Sequence, residues 1–161
     1  THPTITTNTK NGPYQGAKGN TITAGTHVPF IAYWEGRTPK GKVNDDLIDF
    51  TDFFPTLAEA GNGKIPADHP KDGRSFLPQI TGKKGTPRDH IFCHYAPRWG
   101  KFGPARWAMD KKWKLYEDGR FFDLVNDERE KNPITTLTPE MEKAKARFQS
   151  VLSRMHNKSG S

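Results

Sequence analysis

The chain has 161 residues, a formal net charge of +7 and only 32% hydrophobic residues, against the ~45–50% apolar content usual for globular domains. That length suffices for one core burying roughly 70% of the unfolded surface. No apolar run reaches transmembrane length, no Lys/Arg run is long enough for a nucleic-acid tract, and the single cysteine, Cys93, excludes an internal disulfide. The basic balance makes polyanions plausible partners, whether nucleic acid, anionic lipid or sulfated polysaccharide, beside the plainer reading of a solvated basic face; without such tracts no nucleic-acid or membrane partner is expected. Thr1-His2-Pro3-Thr4 does not read as a natural beginning, so the lack of a leader there says nothing about compartment.

Residues 1–27 are rich in Thr, Asn and Gly and read as an extended loop. The β-branched and aromatic run 28–34, closed by Glu35-Gly36, reads as a short buried strand. Residues 37–44 carry Pro39 and two glycines and read as a turn. A helix then opens at Phe53, with Asp52 as its cap, Pro55 in the first turn and Gly61 as a left-handed stop. Its predicted inner face is Phe53, Leu57 and Ala60. Residues 75–80 predict one helical turn ended by Gly82, and the Gly/Lys-rich stretch 82–87 is the best boundary.

Beyond it four short strands are predicted at 91–95, 105–109, 113–117 and 120–124. Asp110-Lys111-Lys112 and Asp118-Gly119 supply tight links, so the strands read as an antiparallel meander. Thr138-Pro139-Glu140 starts a last helix, with Thr as cap, Pro in the first position and Glu at the positive dipole end. Met141, Ala144, Phe148, Val151, Leu152 and Met155 recur at helical spacing, so this helix is expected to pack across the sheet with Phe148 as anchor and Lys145 and Arg147 toward solvent.

Several phrases follow one another in a telling order. Gly16-Ala17-Lys18-Gly19-Asn20 with Val28-Pro29-Phe30 comes first, then Asp49-Phe50-Thr51-Asp52-Phe53-Phe54-Pro55-Thr56-Leu57. Asp72-Gly73-Arg74-Ser75-Phe76-Leu77-Pro78, Trp113-Lys114-Leu115 and Phe122-Asp123-Leu124-Val125-Asn126-Asp127-Glu128-Arg129-Glu130 come after. In that order they resemble the C-terminal part of a sulfatase of the arylsulfatase family, within the alkaline-phosphatase-like superfamily. The resemblance runs from about Lys10 to Asn132. It implies an α/β (α+β) fragment: residues 1–84 would end the α/β catalytic domain, and residues 85–161 would form a small four-stranded antiparallel sheet with a packed helix.

Hydrolysis of a sulfate ester requires negative charge to be held on the sulfuryl oxygens and on the leaving alkoxide, which fixed cations and a metal ion do in a site with little water. In the sulfatase pattern a Lys-Gly pair stands in a loop before a buried strand. Lys18-Gly19 occupies that place, so the resemblance implies that Lys18 contacts the sulfate; a lysine on a flexible stem is a suitable point charge for a tetrahedral anion. The pattern's glutamate, first glycine and arginine are here Thr23, Ala24 and His27, so both members of a possible ion pair are missing together, a change that can be nearly neutral.

The resemblance also implies a formylglycine nucleophile, made from the Cys or Ser of a Cys/Ser-x-Pro-x-Arg motif, and a divalent cation, usually calcium, in the full-length enzyme. Cys93-His94-Tyr95-Ala96-Pro97-Arg98 has the wrong spacing for that motif, and Cys93 reads as a small buried hydrophobe. No two histidines have a zinc-type spacing, and Asp45-Asp46, Asp49 and Asp52 fall where turn and capping roles suit them. The missing N-terminal catalytic domain would therefore supply nucleophile and metal ligands, and this chain alone is expected to be inactive and to bind no cation. In similar sulfatases the His-Tyr stretch lies at the mouth of the site, which makes His94, Arg98 and Trp99 substrate-binding candidates: Arg as a forked donor to sulfate, Trp as a platform for a sugar ring. A periplasmic, extracellular or lysosomal-type compartment is expected from the same resemblance. Two alternatives stand beside it: a phosphodiesterase or phosphonate hydrolase of the same superfamily, and a non-catalytic module that binds sulfated glycans through its basic surface and Trp99.

Overall fold

The computed structural model describes residues 2–10, 12–69, 72–98 and 100–158. Its elements run β1 (Thr6–Thr9), β2 (Gly12–Gln15), α1 (Thr23–Thr26), a 3-10 turn at Phe50–Asp52, α2 (Phe53–Ala60), α3 (Leu77–Ile80), β3 (Ile91–Tyr95), β4 (Ala105–Met109), β5 (Trp113–Tyr116), β6 (Phe121–Asp123) and α4 (Pro139–Lys158). They fall into two compact units, one of residues 1–28 with 92–161 and one of residues 29–91. The first joins both ends of the chain.

The C-terminal unit is built on the meander β3-β4-β5-β6, in sequence order. Its register follows from the turns. Asp110 accepts from the backbone N–H groups of Lys112 and Trp113 at 2.8 Å each, closing β4 onto β5. Between β5 and β6, the Gly119 N–H reaches the Tyr116 carbonyl at 3.0 Å and the Tyr116 N–H reaches Arg120 at 2.9 Å, with Gly119 at φ +92°. That is a three-residue hairpin whose left-handed position glycine fills without steric cost.

Side chains alternate across the sheet, and both faces are used. Ala108, Trp113, Leu115 and Phe121 meet Ala144, Phe148, Val151 and Leu152 of α4. Trp107, Tyr116 and Phe122, with the partly buried Cys93, Tyr95, Ala105 and Met109, form the other face. The predicted helix phase holds: Phe148 is fully buried, Lys145 is half-buried, and Arg147 is exposed with its guanidinium paired to Asp110.

The N-terminal 28 residues are more ordered than the extended loop expected of them. The Thr-rich stretch forms the antiparallel hairpin β1–β2, from Thr6 opposite Gln15 to Thr9 opposite Gly12. A further bond from the Gly16 N–H to the Ile5 carbonyl at 2.8 Å continues the pairing. The reason is backbone satisfaction: the polar, β-branched Thr6–Thr9 pairs its backbone with Gly12–Gln15, whose Tyr14 is the one aromatic side chain of the hairpin.

In residues 29–91 two expectations are corrected. The run 28–34 is not a strand; Ile31 and Tyr33 are 90% and 80% exposed. An apolar run of that kind becomes a strand only between neighbours that pair its amides, and no described segment does so. The start of α2 is also built differently. Asp49 caps the preceding 3-10 turn in a reciprocal capping box with Asp52, while Asp52 itself is buried. Gly61 has φ −86°, and the left-handed residue is Asn62 at +57°. The buried α2 residue is Thr56, with Leu57 exposed.

Asp52 organises this unit. Its carboxylate accepts from the Asp49 and Arg74 backbone N–H groups at 2.8 and 2.7 Å, and from Arg88 through Nε at 2.7 Å and a terminal nitrogen at 2.5 Å. Phe76 packs beside it, edge-on to Phe30 and Phe53 at 5.7 and 5.3 Å between ring centres. Gly73 passes so close that a Cβ there would lie 2.0 Å from the Thr51 carbonyl oxygen.

Candidate functional site

Lys18 stands at the apex of a tight turn. The Asn20 N–H donates to the Ala17 carbonyl at 2.9 Å, and Gly19, next to Lys18, has φ +88°. This is the turn class in which glycine at the third position relieves the left-handed strain. A Cβ there would also stand 2.4 Å from the Phe102 ring edge, which would have to move aside. Ala17 is buried and Lys18 exposed, so the turn is anchored by its first residue and presents the ammonium outward. No described residue pairs with that ammonium, which leaves all three of its donors for an anion.

Two sets of contacts hold the turn. The Tyr95 hydroxyl, at the end of β3, donates to the Gly19 carbonyl at 3.0 Å. Below the turn lies a buried ionic network. Lys114 and Glu130, with side chains 0% and 2% exposed, meet at 2.9 Å. The Lys114 ammonium also donates to the Thr21 carbonyl at 2.5 Å, and lies 4.6 and 4.7 Å from the ring centres of Trp107 and Tyr116. The Tyr116 hydroxyl donates to the other Glu130 oxygen at 2.6 Å and lies 3.0 Å from the Thr21 hydroxyl. The Thr23 backbone N–H completes the set, donating to Glu130 at 3.0 Å.

Burial pulls the Lys114 ammonium below the ordinary lysine range, with the Glu130 carboxylate opposing. The Tyr116 hydroxyl is pushed well above the usual tyrosine range by burial and by its bond to Glu130, so it stays a donor. The same loop grips the hairpin: Tyr14 donates to Glu128 at 2.5 Å, and Arg129 donates to the Gln15 carbonyl at 2.6 Å. Glu130 holds this position with φ +53°, left-handed for a residue that is not glycine.

The other predicted site residues are placed as follows. His94 and Arg98 are exposed. Because Cys93 and Tyr95 lie on the Trp107 face of the sheet, His94 projects to the opposite face; Tyr95 is the residue brought to the Lys18 turn. Trp99 lies outside the described residues. Cys93 is half-buried in the apolar cluster of Trp107, Tyr116 and Phe122.

Among the described residues no group of three His, Cys, Asp or Glu side chains stands close enough to hold a metal ion. Of the acidic run Asp45-Asp46, Asp49 and Asp52, Asp52 is held by Arg88, Asp49 by the capping box and Asp46 by the Asn44 side chain.

Tyr95, Lys114, Tyr116 and Glu130 were missed by reading the sequence for chemistry. The signal present was a lysine inside the aromatic run Trp113-Lys114-Leu115-Tyr116, a strand buried at all four positions, which obliges the charge to have a partner.

Comparison with known proteins gives a consistent set. The sequence model of the sulfatase family matches residues 5–63. The sulfatase YdeN of Escherichia coli is 39% identical over 82 residues, covering 50% of this chain and 14% of its own length. Human arylsulfatase D is 31% identical over 110 residues, covering 66% of this chain and 18% of its own. The solved structure of BT4656 in complex with its substrate D-glucosamine-2-N,6-O-disulfate superposes with a TM-score of 0.51 at 20% identity, over 66% of this chain and 23% of that one. This chain thus spans under a fifth of the two curated relatives it matches.

Proposed function

We propose that this chain, whose residues 5–63 match the sulfatase family model, serves as the C-terminal part of an enzyme hydrolysing sulfate esters, and that Lys18 is its contribution to the reacting group. The observation that carries this is the free ammonium at the apex of a turn fixed from both sides, by Tyr95 and by the Glu130 network. Such a turn places a cation without a reorganisation cost when charge develops on a sulfuryl oxygen. The substrate class is a sulfated carbohydrate, in keeping with the disulfated glucosamine bound by the similar fold of BT4656. His94, Arg98 and Trp99 are assigned to the substrate wall, where contacts bind ground and transition states alike.

The formylglycine nucleophile and the carboxylates for calcium come from other parts of the parent enzyme, with residues 1–84 ending its α/β domain and 85–161 forming the small C-terminal subdomain. A chain without them has no turnover of its own. The test is Lys18→Ala in the full-length enzyme, assayed with a sulfated sugar. Loss of one preorganised charge should lower kcat by about 10²-fold, roughly 3 kcal/mol. A rate within about twofold of wild type would reduce Lys18 to an ordinary loop lysine.

A further inference from the structure

Apart from Ala17 and the Phe102 ring beside Gly19, the turn that presents Lys18 is held by polar contacts, and α1 behind it is a single turn without a buried residue. What fixes it is polar and comes from far along the chain. Glu130 uses both carboxylate oxygens: one for Lys114 and the Thr23 N–H, the other for Tyr116. Lys114 and Tyr116 in turn hold the Thr21 carbonyl and hydroxyl. Among the described residues, the hydrogen bonds from Thr21 and Thr23 to Lys114, Tyr116 and Glu130 thus all involve one carboxylate or its two partners. A buried arrangement of this kind is stiff while it is complete, and each member is left unsatisfied when another is removed.

We propose that Glu130 is a positioning residue for Lys18, acting through Thr21 and Thr23 to hold the turn of residues 17–20 in the orientation that delivers the ammonium to the sulfate group. The inference rests on the reading of Lys18 above, and goes beyond it by assigning a residue that touches neither substrate nor Lys18. The left-handed backbone of Glu130 fits this role: a conformation that costs free energy persists because its surroundings over-determine it.

Two measurements test it. The first is amide hydrogen exchange on the 161-residue chain with Glu130→Gln, which keeps the side chain's shape and removes its charge. Exchange at the Thr23 and Asn20 amides should accelerate by about tenfold or more, while the Trp107 and Phe148 amides keep their wild-type rates. Unchanged exchange at Asn20 overturns the inference. If protection is lost throughout the sheet and α4, the paired variant Lys114→Met/Glu130→Gln, which leaves no buried charge alone, carries the comparison. Faster exchange at Asn20 in that variant supports the inference, and wild-type exchange overturns it.

The second measurement is a cycle in the full-length enzyme. Glu130→Gln should lower kcat by about tenfold with little change in KM, and its effect should largely vanish when Lys18 is already alanine. Full additivity of the two losses would mean that Glu130 acts on something other than Lys18. If Lys18→Ala alone leaves the rate intact, the functional reading fails, while exchange at Asn20 still decides whether Glu130 fixes the turn.

Discussion

In the unit that contains the meander, the large side chains are inside: Trp107, Leu115, Phe121, Phe122 and Phe148 are all at most 1% exposed. In residues 29–91 many are outside: Ile31, Tyr33, Val43, Phe50 and Leu57 are each more than 60% exposed, and among the described residues of this unit Phe76 is the one buried hydrophobic side chain. The second unit is held instead by Asp52, whose carboxylate ties together the capping turn, the Arg74 backbone and Arg88. A sheet closed by a helix stabilises itself through apolar burial, which is insensitive to charge state. A unit gathered around one carboxylate depends on that group remaining ionised and paired. The exposed aromatic and aliphatic side chains also account for a composition that is apolar-poor yet leaves so much apolar surface in water.

The contrast can be broken most directly in the apolar unit. Phe148→Ala removes the anchor of α4 on the sheet and should cost about 3–5 kcal/mol. Urea unfolding followed by tryptophan fluorescence measures it; a cost below about 1 kcal/mol would show that the helix is not seated as described.

The matching change in the other unit is Arg88→Met, which leaves the buried Asp52 carboxylate without its cation and should cost about 3 kcal/mol locally. Exchange of the Phe76 amide, which donates to the Thr56 hydroxyl at 3.0 Å, reports on it. Restoring much of the loss with Asp52→Asn on top of Arg88→Met would sharpen the contrast; an equal loss in both variants would show that shape, not charge, matters at position 88.

Acid should separate the units without any substitution. Burial by itself would raise the Asp52 pKa, but hydrogen bonds from Arg88 and from the Arg74 and Asp49 backbone outweigh it and hold the carboxyl below its ordinary value of 3.8. The folded pKa is depressed, so the stabilisation is fully present above the unfolded value and is lost as pH falls through the folded one. Lowering pH from about 5 to about 2 should weaken protection at Phe76, and Asp52→Asn should flatten that dependence. A wild-type profile that is already flat would contradict the central place of Asp52.

The smallest effects belong to the solvent side of α4. Lys145→Ala should change stability by less than about 0.5 kcal/mol. Arg147→Ala should cost at most about 1 kcal/mol, because its pair with Asp110 is partly exposed.

What could be read from the sequence follows the same division. The meander and α4 were legible because their signals are local: period-two alternation, Asp118-Gly119 between strands, and apolar positions three and four apart from Met141 to Met155. The run 28–34 misled because composition marks a residue as apolar but does not supply the neighbours that make it a strand. The Asp52 hub depends on Arg88, 36 positions away, and the helix cap at Asp49 lies three residues before the one chosen. At the candidate site, Lys18 was found through resemblance to a family pattern. Tyr95 and Glu130 were not, since 76 and 107 residues separate them from the segment they hold.

Those separations bear on how the chain acquires its shape. Tyr14, Gln15, Thr21 and Thr23 find their partners at 114–130, with the Thr23 amide waiting for a carboxylate 107 positions later. On a ribosome adding about 5–20 residues per second, the lysine turn is exposed on the order of 5–20 s before Glu130 exists. During that interval the turn has its own Asn20–Ala17 bond and, later, Tyr95, but not the Glu130 network, and closing so long a loop adds an entropic barrier at the end. The turn should therefore be among the last parts of the molecule to reach its native form, docking onto a sheet already made. A slow refolding phase that alters exchange at Asn20 but not at Trp107 would be its kinetic signature.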